Sequence, residues 1–317
     1  MVEEAFTREA YGKTLVELGE TDARIVALDA DLSKSTMTCL FAQKFPERFF
    51  DCGLAEQNMI GIAAGLAASG KIPFASTFAV FATSRCFDQL RMSVAQPQLN
   101  VKIVATHGGI TVGEDGASHH AIEDLSLVCS LPGFTVIVPA DAIETIQAVK
   151  AAAQSEGPFY IRLSRPRTPL LMSQDYRFQI GKAVTMRPGD DVTIFANGLM
   201  VAVALEAAER LAEREISSRV LNMSSLRPID KEAIITAAKE TGAIVTAEEH
   251  LLQGGLGSRV ARITAEECPV PISFIAVRDA YAKSGKPEQL LERHRLTAGD
   301  IEQAVLSVIA RKRSSSR

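Results

Sequence analysis

The chain has 317 residues and a mass of 34.1 kDa, with 47% hydrophobic and 23% charged residues, enough to bury a sizeable core and better suited to two domains than to one. A formal net charge of −4 and a pI near 5.8 give no field that would hold a polyanion, which argues against nucleic acid as a partner. The start, MVEEAFTREA, carries no apolar signal-peptide core, and no uncharged stretch approaches the roughly 20 residues that cross a bilayer, so a cytoplasmic protein with no membrane partner is expected.

In chain order, the helical pattern REAYGKTLVELG is followed by the β-rich RIVALDA, and KIPFAST precedes a second helical pattern, RCFDQLRMSVAQ. VKIVATH, FTVIVPA and YIRLSR continue the strands, and this alternation is the rhythm of βαβ units around a mainly parallel sheet. The proline-containing PRTPLLMSQDYRFQIGK has no sustained period and reads as a linker. DVTIFA, an alanine-rich helix over 199–214, SSRVLNM, a helix from about Asp230, GAIVTAE, GGLGSRVARITAEE and VPISFIA repeat the alternation. The expected organisation is a first α/β domain over 1–170, a linker over 171–188 and a second α/β domain over 189–317. The basic tail ARKRSSSR reads as a frayed end. Five scattered cysteines with no C-x-x-C pair read as reduced thiols.

Open parallel sheets bind ligands at the carboxyl ends of their strands, and here those exits carry the unusual residues: ALDADLSKST, DCGLAEQ, ASTF and ATHGGITVGEDGASHH. Taken singly they stay open. GGLG at 254–257 lacks the full phosphate-loop spacing and reads as a tight helix-start turn. His119 and His120 have no obvious third metal ligand, so no metal site is assigned to this chain. Asp115 between glycines could be a turn residue. Glu56 opens the nearly uncharged run GLAEQNMIGIAAGLAASG, whose glycines, alanines and isoleucines offer it no partner.

The succession DADLSKS, GLAEQNMIGIAAGLA, STFAVFATSRCFDQLR, THGGITVGEDGASHHAIEDL and YIRLSR resembles the pyrimidine-binding domain of transketolase, in order and spacing, with TVGEDGASHH as the most specific piece. The segment from Asp190 onward resembles the carboxy-terminal domain of the same enzymes. The resemblance implies an α/β fold of two domains with mainly parallel sheets, a thiamine diphosphate-binding (pyrimidine) fold followed by a transketolase C-terminal domain-like fold. It implies thiamine diphosphate as cofactor, with Glu56 bonding N1′ of the aminopyrimidine and favouring the tautomer that takes the thiazolium C2 proton. Burial disfavours a charged carboxylate, and a helix start opposes this by only about 0.3–1 kcal/mol, so Glu56 is expected to share a proton with that ring nitrogen.

By the same resemblance Phe78 and Phe81 stack on the pyrimidine, their spacing of three placing both rings on one side of a helix. Asp31 matches an acid close to the cofactor, and Ser84 stands where many transketolases place a third aromatic. Arg8, Ser35, His107 and Arg165 match a phosphate grip for sugar phosphates. Asp115 and His119 match readers of sugar hydroxyls, His119 also assisting proton transfer; His120 is given no role.

The metal-binding G-D-G segment of the family has no counterpart, and its diphosphate domain would lie before residue 1. The resemblance therefore implies the carboxy-terminal subunit of a split transketolase, completed by an amino-terminal subunit that binds Mg2+, in an α2β2 assembly serving the pentose phosphate pathway. Alternatives are an enzyme like 1-deoxy-D-xylulose 5-phosphate synthase, one like a 2-oxo acid dehydrogenase β subunit, and a non-catalytic assembly subunit. EEHLLQGGLGS in the second domain is expected to serve assembly.

Overall fold

The computed structural model describes residues 3–315. Its strands are β1 (Glu4–Ala5), β2 (Ile25–Asp29), β3 (Phe49–Asp51), β4 (Ile72–Ser76), β5 (Lys102–Ala105), β6 (Thr135–Ile137), β7 (Phe159–Arg162), β8 (Thr168–Pro169), β9 (Val184–Arg187), β10 (Val192–Ala196), β11 (Ser218–Asn222), β12 (Ser225–Arg227), β13 (Ile244–Leu251) and β14 (Ile272–Val277). The β-branched runs of the sequence form the buried strands: β2, β4, β5, β7 and β10 are buried along their whole length, as strands covered on both faces must be.

The first sheet has seven strands in the order β12-β6-β7-β5-β4-β2-β3, and the second has five in the order β14-β13-β10-β11-β9. All neighbours are parallel except β12 on β6 and β9 on β11. The architecture is a two-domain α/β fold with mainly parallel sheets. Strand β9 lies in the stretch read from sequence as linker, yet it completes the second sheet, and β12, from the second half of the chain, extends the first. One hydrophobic cluster spans both halves, packing Val136 and Val138 with Phe195, Leu221 and Leu256.

Helices cover the sheets through apolar faces. In Glu56–Ala68 the buried residues Met59, Ile60, Ala63 and Ala64 fall on one side. Ala142–Gln154 buries Ala148, Val149 and Ala152 and is capped by Asp141, which accepts from the Glu144 amide at 2.7 Å. The alanine-rich helix spans Met200–Ala212, and the helix expected near Asp230 is Lys231–Thr241, capped by that residue. RCFDQLRMSVAQ departs from expectation: π-helical turns cover Phe81–Arg85 and Leu90–Ala95 around a short α-turn, Phe87–Gln89. The basic tail departs too, since the last helix runs Ala298–Ser315; residues 316 and 317 lie outside the described residues. All five cysteines are free thiols. Among the described residues no helix is long and apolar enough to cross a membrane.

Asp141 does more than cap a helix. Its Oδ2 also accepts from the backbone amides of Leu171 and Met172 at 2.7 and 2.8 Å, which pins the start of the connection between domains. Removing it leaves three donors without their acceptor, and a hydrogen bond to a charged group contributes about 1.5–3 kcal/mol. Asp141→Ala is expected to lower unfolding free energy by about 3 kcal/mol in urea titrations; a loss under about 1 kcal/mol would contradict this role.

Candidate active site

The sheet order β7-β5-β4-β2-β3 places the carboxyl ends of five parallel strands in one row, and each delivers a residue singled out from sequence. Arg165 follows β7, His107 follows β5, Phe78 follows β4, Ser35 follows β2 and Glu56 follows β3. Arg8 joins them because β1 pairs with β8, Ala5 opposite Thr168, and Thr7 Oγ1 lies 3.4 Å from Ser164 Oγ. Residues from six stretches thus meet at one edge of the sheet.

Glu56 is 2% exposed at the first position of its helix. It is not without a partner, as the local sequence implies: Arg85 Nη1 donates to its Oε1 at 2.6 Å. A buried carboxylate left uncompensated costs several kcal/mol, so a cation that reaches it is the stable arrangement. Arg85 comes from the π-helical turn, 29 residues along the chain, and π-turns often re-aim side chains at functional sites. Its guanidinium also lies over the Phe81 ring, 4.5 Å from the centroid.

Phe78 and Phe81 are stacked, centroids 5.9 Å apart and planes 14° from parallel. Helical spacing is not the cause, because Phe78 precedes the helical turns and bridges to Thr106 beside β5. His107 stacks on Phe78 at 3.8 Å, and His119 meets Phe81 edge-on at 5.3 Å. Glu56, Arg85, the two phenylalanines and the two histidines therefore form one continuous group. Its acid and its aromatic step, buried at Phe78 and partly exposed at Phe81, suit the pyrimidine end of thiamine diphosphate. Among the described residues no three His, Cys, Asp or Glu side chains gather to hold a metal ion.

The cations lie next to it. Burial first, then the charge of Arg165, lowers the Arg8 pKa. Arg8 makes one long bond, Nη1 to the Ser35 carbonyl at 3.4 Å, and its buried Nε has no protein partner. Arg165 donates to the Val112 carbonyl and approaches Glu114 Oε2 at 3.4 Å. Two neighbouring guanidiniums with donors to spare are what a phosphate needs. Burial, reinforced by Arg8, Arg165 and His119, pushes His107 down to about 3, so it is neutral at physiological pH. Its Nδ1 lies 2.8 Å from Thr106 Oγ1. Asp115 stands exposed on the turn Gly113–Asp115, and His119 Nδ1 lies 3.0 Å from Ser118 Oγ. His120 is buried with Nε2 3.2 Å from the Gly113 carbonyl, supporting that turn from within.

Asp31 sits exposed at the exit of β2, its backbone amide bonded to Asp51 Oδ1 at 3.0 Å. The buried acid of DADLSKST is Asp29, overlooked from sequence. It accepts from the Leu32 amide and Thr36 Oγ1 at 2.6 Å each and from Thr38 Oγ1 at 2.9 Å, shaping the turn that presents Ser35 to Arg8. Burial pushes Asp29 up to about 6 against those bonds.

Residues 3–169 match the family model of the transketolase pyrimidine-binding domain, and residues 181–301 match that of the transketolase C-terminal domain. The chain belongs to the transketolase family. It is 45% identical over 311 residues to a 6-deoxy-6-sulfo-D-fructose transketolase subunit of Clostridium sp. strain MSTE9, covering 98% of this chain and 97% of that one. It is 40% identical over 309 residues to the transketolase of Homo sapiens, covering 96% of this chain and 49% of the human one. A solved structure named as a split gene transketolase, inactive beta4 tetramer, superposes with a TM-score of 0.91 at 54% identity, covering 96% of this chain and 98% of that chain.

Two outcomes follow from this geometry. His107 is held below its ordinary pKa of 6.5, so the folded state binds fewer protons than the unfolded one between about pH 3 and 6.5; its contribution is intact above that window and is lost as pH falls through it. Urea unfolding of His107→Asn at pH 4, 5 and 6 is expected to show a shallower loss of stability than the parent, by up to about 1.4 kcal/mol per pH unit; equal slopes would contradict the burial of a neutral imidazole. Arg85→Ala is expected to destabilise the free chain by about 1–2 kcal/mol, discounted because Arg85 is 49% exposed, and Glu56→Gln to recover most of that loss in the double variant. Additive effects in the cycle would show the pair to be uncoupled.

Proposed function

We propose that this chain is the pyrimidine-binding and C-terminal subunit of a split transketolase, moving a two-carbon ketol unit from a ketose phosphate such as xylulose 5-phosphate to an aldose phosphate such as ribose 5-phosphate. The reading rests on one observation above all: the row of strand exits sets the Glu56, Phe78 and Phe81 group directly beside the Arg8, Ser35, His107 and Arg165 group, an acid and aromatic step next to an anion grip. Thiamine diphosphate, when bound, supplies the electron sink for carbon–carbon bond cleavage. Glu56 would hold the proton at the pyrimidine nitrogen, and Phe78 and Phe81 would fix the ring plane. Asp31 is assigned to the cofactor side by its match to the family's acid, and its backbone bond to Asp51 at the end of β3, five residues before Glu56, is consistent with that.

Arg8 and Arg165 supply charge for the substrate phosphate, Ser35 and neutral His107 supply hydrogen bonds, and Asp115 and His119 meet the sugar hydroxyls. With Nδ1 engaged by Thr106, Nε2 of His107 is the ring nitrogen left to face a ligand; it donates when Nδ1 accepts the Thr106 hydroxyl and accepts when Nδ1 carries the proton. His119, edge-on to Phe81, would carry a proton to or from a substrate oxygen near the cofactor. The diphosphate and Mg2+ are assigned to a separate amino-terminal subunit, and two pairs to an α2β2 complex in the cytoplasm. The split-gene relative solved as an inactive tetramer of β chains alone supports a chain that requires a different partner for activity.

The purified chain is expected to be inactive alone and active on ketose and aldose phosphates when mixed with its amino-terminal partner, with no turnover of pyruvate. In that complex Glu56→Ala is expected to lower kcat by about 100- to 10,000-fold with assembly intact by size-exclusion chromatography. Full activity of the assembled Glu56→Ala complex would establish a non-catalytic subunit instead.

A further inference from the structure

The site residues described so far all belong to the first domain, yet the loop that carries His107, Asp115 and His119 is fastened from the second. Glu249 in β13 is 4% exposed, and its Oε1 accepts the Thr111 amide at 2.6 Å. The Glu249 backbone carbonyl accepts from Arg162 Nη2 at 2.9 Å, and the same nitrogen donates to the Ala121 carbonyl at 2.9 Å, at the other end of the loop. Gly109 also donates to the Ala121 carbonyl, at 2.8 Å, closing the stem, and Leu251 donates to the Ile122 carbonyl at 2.7 Å. Arg162 is itself held by Asp124, 3.0 Å away, whose Oδ2 takes the Tyr160 hydroxyl at 2.7 Å.

The loop sequence is fitted to this arrangement. Gly109 has φ +84°, and a Cβ there would collide with the Glu249 carboxyl; a Cβ on Gly108 would strike the Arg162 guanidinium. The two glycines sit where an acid from one domain and an arginine from the other press against the backbone. Burial raises the Glu249 pKa to about 6 even with Arg162 and the Thr111 amide opposing the rise. EEH in EEHLLQGGLGS therefore acts within the chain, between its domains.

We propose that Glu249 is a positioning residue of the substrate loop: together with Arg162 it ties both stems of residues 107–121, and so sets where His107, Asp115 and His119 stand relative to the strand exits. The substrate side of this inference rests on the ketol-transfer reading. Glu249 touches neither substrate nor cofactor and acts through the loop.

Glu249→Ala removes the acceptor and the charge, while Glu249→Gln keeps an acceptor for Thr111 and tests the charge in a side chain of the same shape. Amide hydrogen exchange on the free full-length chain needs no activity: the Ala variant is expected to exchange Gly109 and Thr111 at least tenfold faster, with Ile103 and Val104 in β5 unchanged, and the Gln variant to fall between it and the parent. In the assembled complex the Ala variant is expected to raise KM for the ketose phosphate about tenfold while kcat changes less than threefold, with partial recovery in Gln. Unchanged loop exchange, or faster exchange throughout the sheet, would overturn the proposal, as would KM equal to that of the parent; if Ala fails to fold, the same readings on Gln decide. Absence of ketol transfer by the parent complex would remove the functional reading alone, and the exchange result would still settle whether Glu249 holds the loop.

Discussion

A carboxylate at 2% exposure has to be compensated, and the way this chain compensates Glu56 organises its site. The cost of burying the charge is met by Arg85, whose guanidinium at the same time covers one face of Phe81. From that ring the contacts run without a break to Phe78, His107 and His119. An acid, an aromatic step and a neutral imidazole are thereby held in mutual contact by groups that each need the next. The arrangement stands on the sheets: strand order brings the exits of β2, β3, β4, β5 and β7 to one edge, and the β1–β8 pair adds Arg8.

The division between the two parts of the site is electrostatic. On one side a buried acid is answered by one half-exposed arginine. On the other, burial and then the neighbouring charge of Arg165 lower the Arg8 pKa, and Arg8 keeps a buried donor with no protein partner. Such crowding of like charge is unfavourable without an anion and becomes useful with one. His107 completes that side as a neutral imidazole, since a third full positive charge there would be opposed by burial as well as by its neighbours.

Much of this was legible in the sequence, because alternation of apolar runs specifies strands and helices locally and strand exits are where α/β sheets bind ligands. Glu56, Phe78 and Phe81, Arg8, Ser35, His107, Arg165 and His119 all fall at one edge, as their motifs imply. What escaped depends on contacts that no local pattern carries. Arg85 reaches Glu56 only because a π-helical turn redirects it, and a helical-period reading of RCFDQLRMSVAQ cannot register that wider turn. Asp29 and Asp31 are two residues apart on a strand exit, and which of them is buried is settled by Thr36 and Thr38 folding back. The contact of Glu249 with Thr111 spans 138 residues and two domains, and β9 is recognisable as a strand only once β11 is beside it.

In the proposed reaction Glu56 is the acid that meets the pyrimidine, with Arg85 holding its place in the free chain. A structure of the complex assembled with its amino-terminal partner and thiamine diphosphate tests it most directly. The expected result is the pyrimidine ring nitrogen within about 3 Å of a Glu56 carboxyl oxygen, the ring on the Phe78 and Phe81 step, and the Arg85 guanidinium moved off the carboxylate. A cofactor ring remote from residue 56, with Arg85 still bonded to the Glu56 carboxylate, would rule out this role for Glu56.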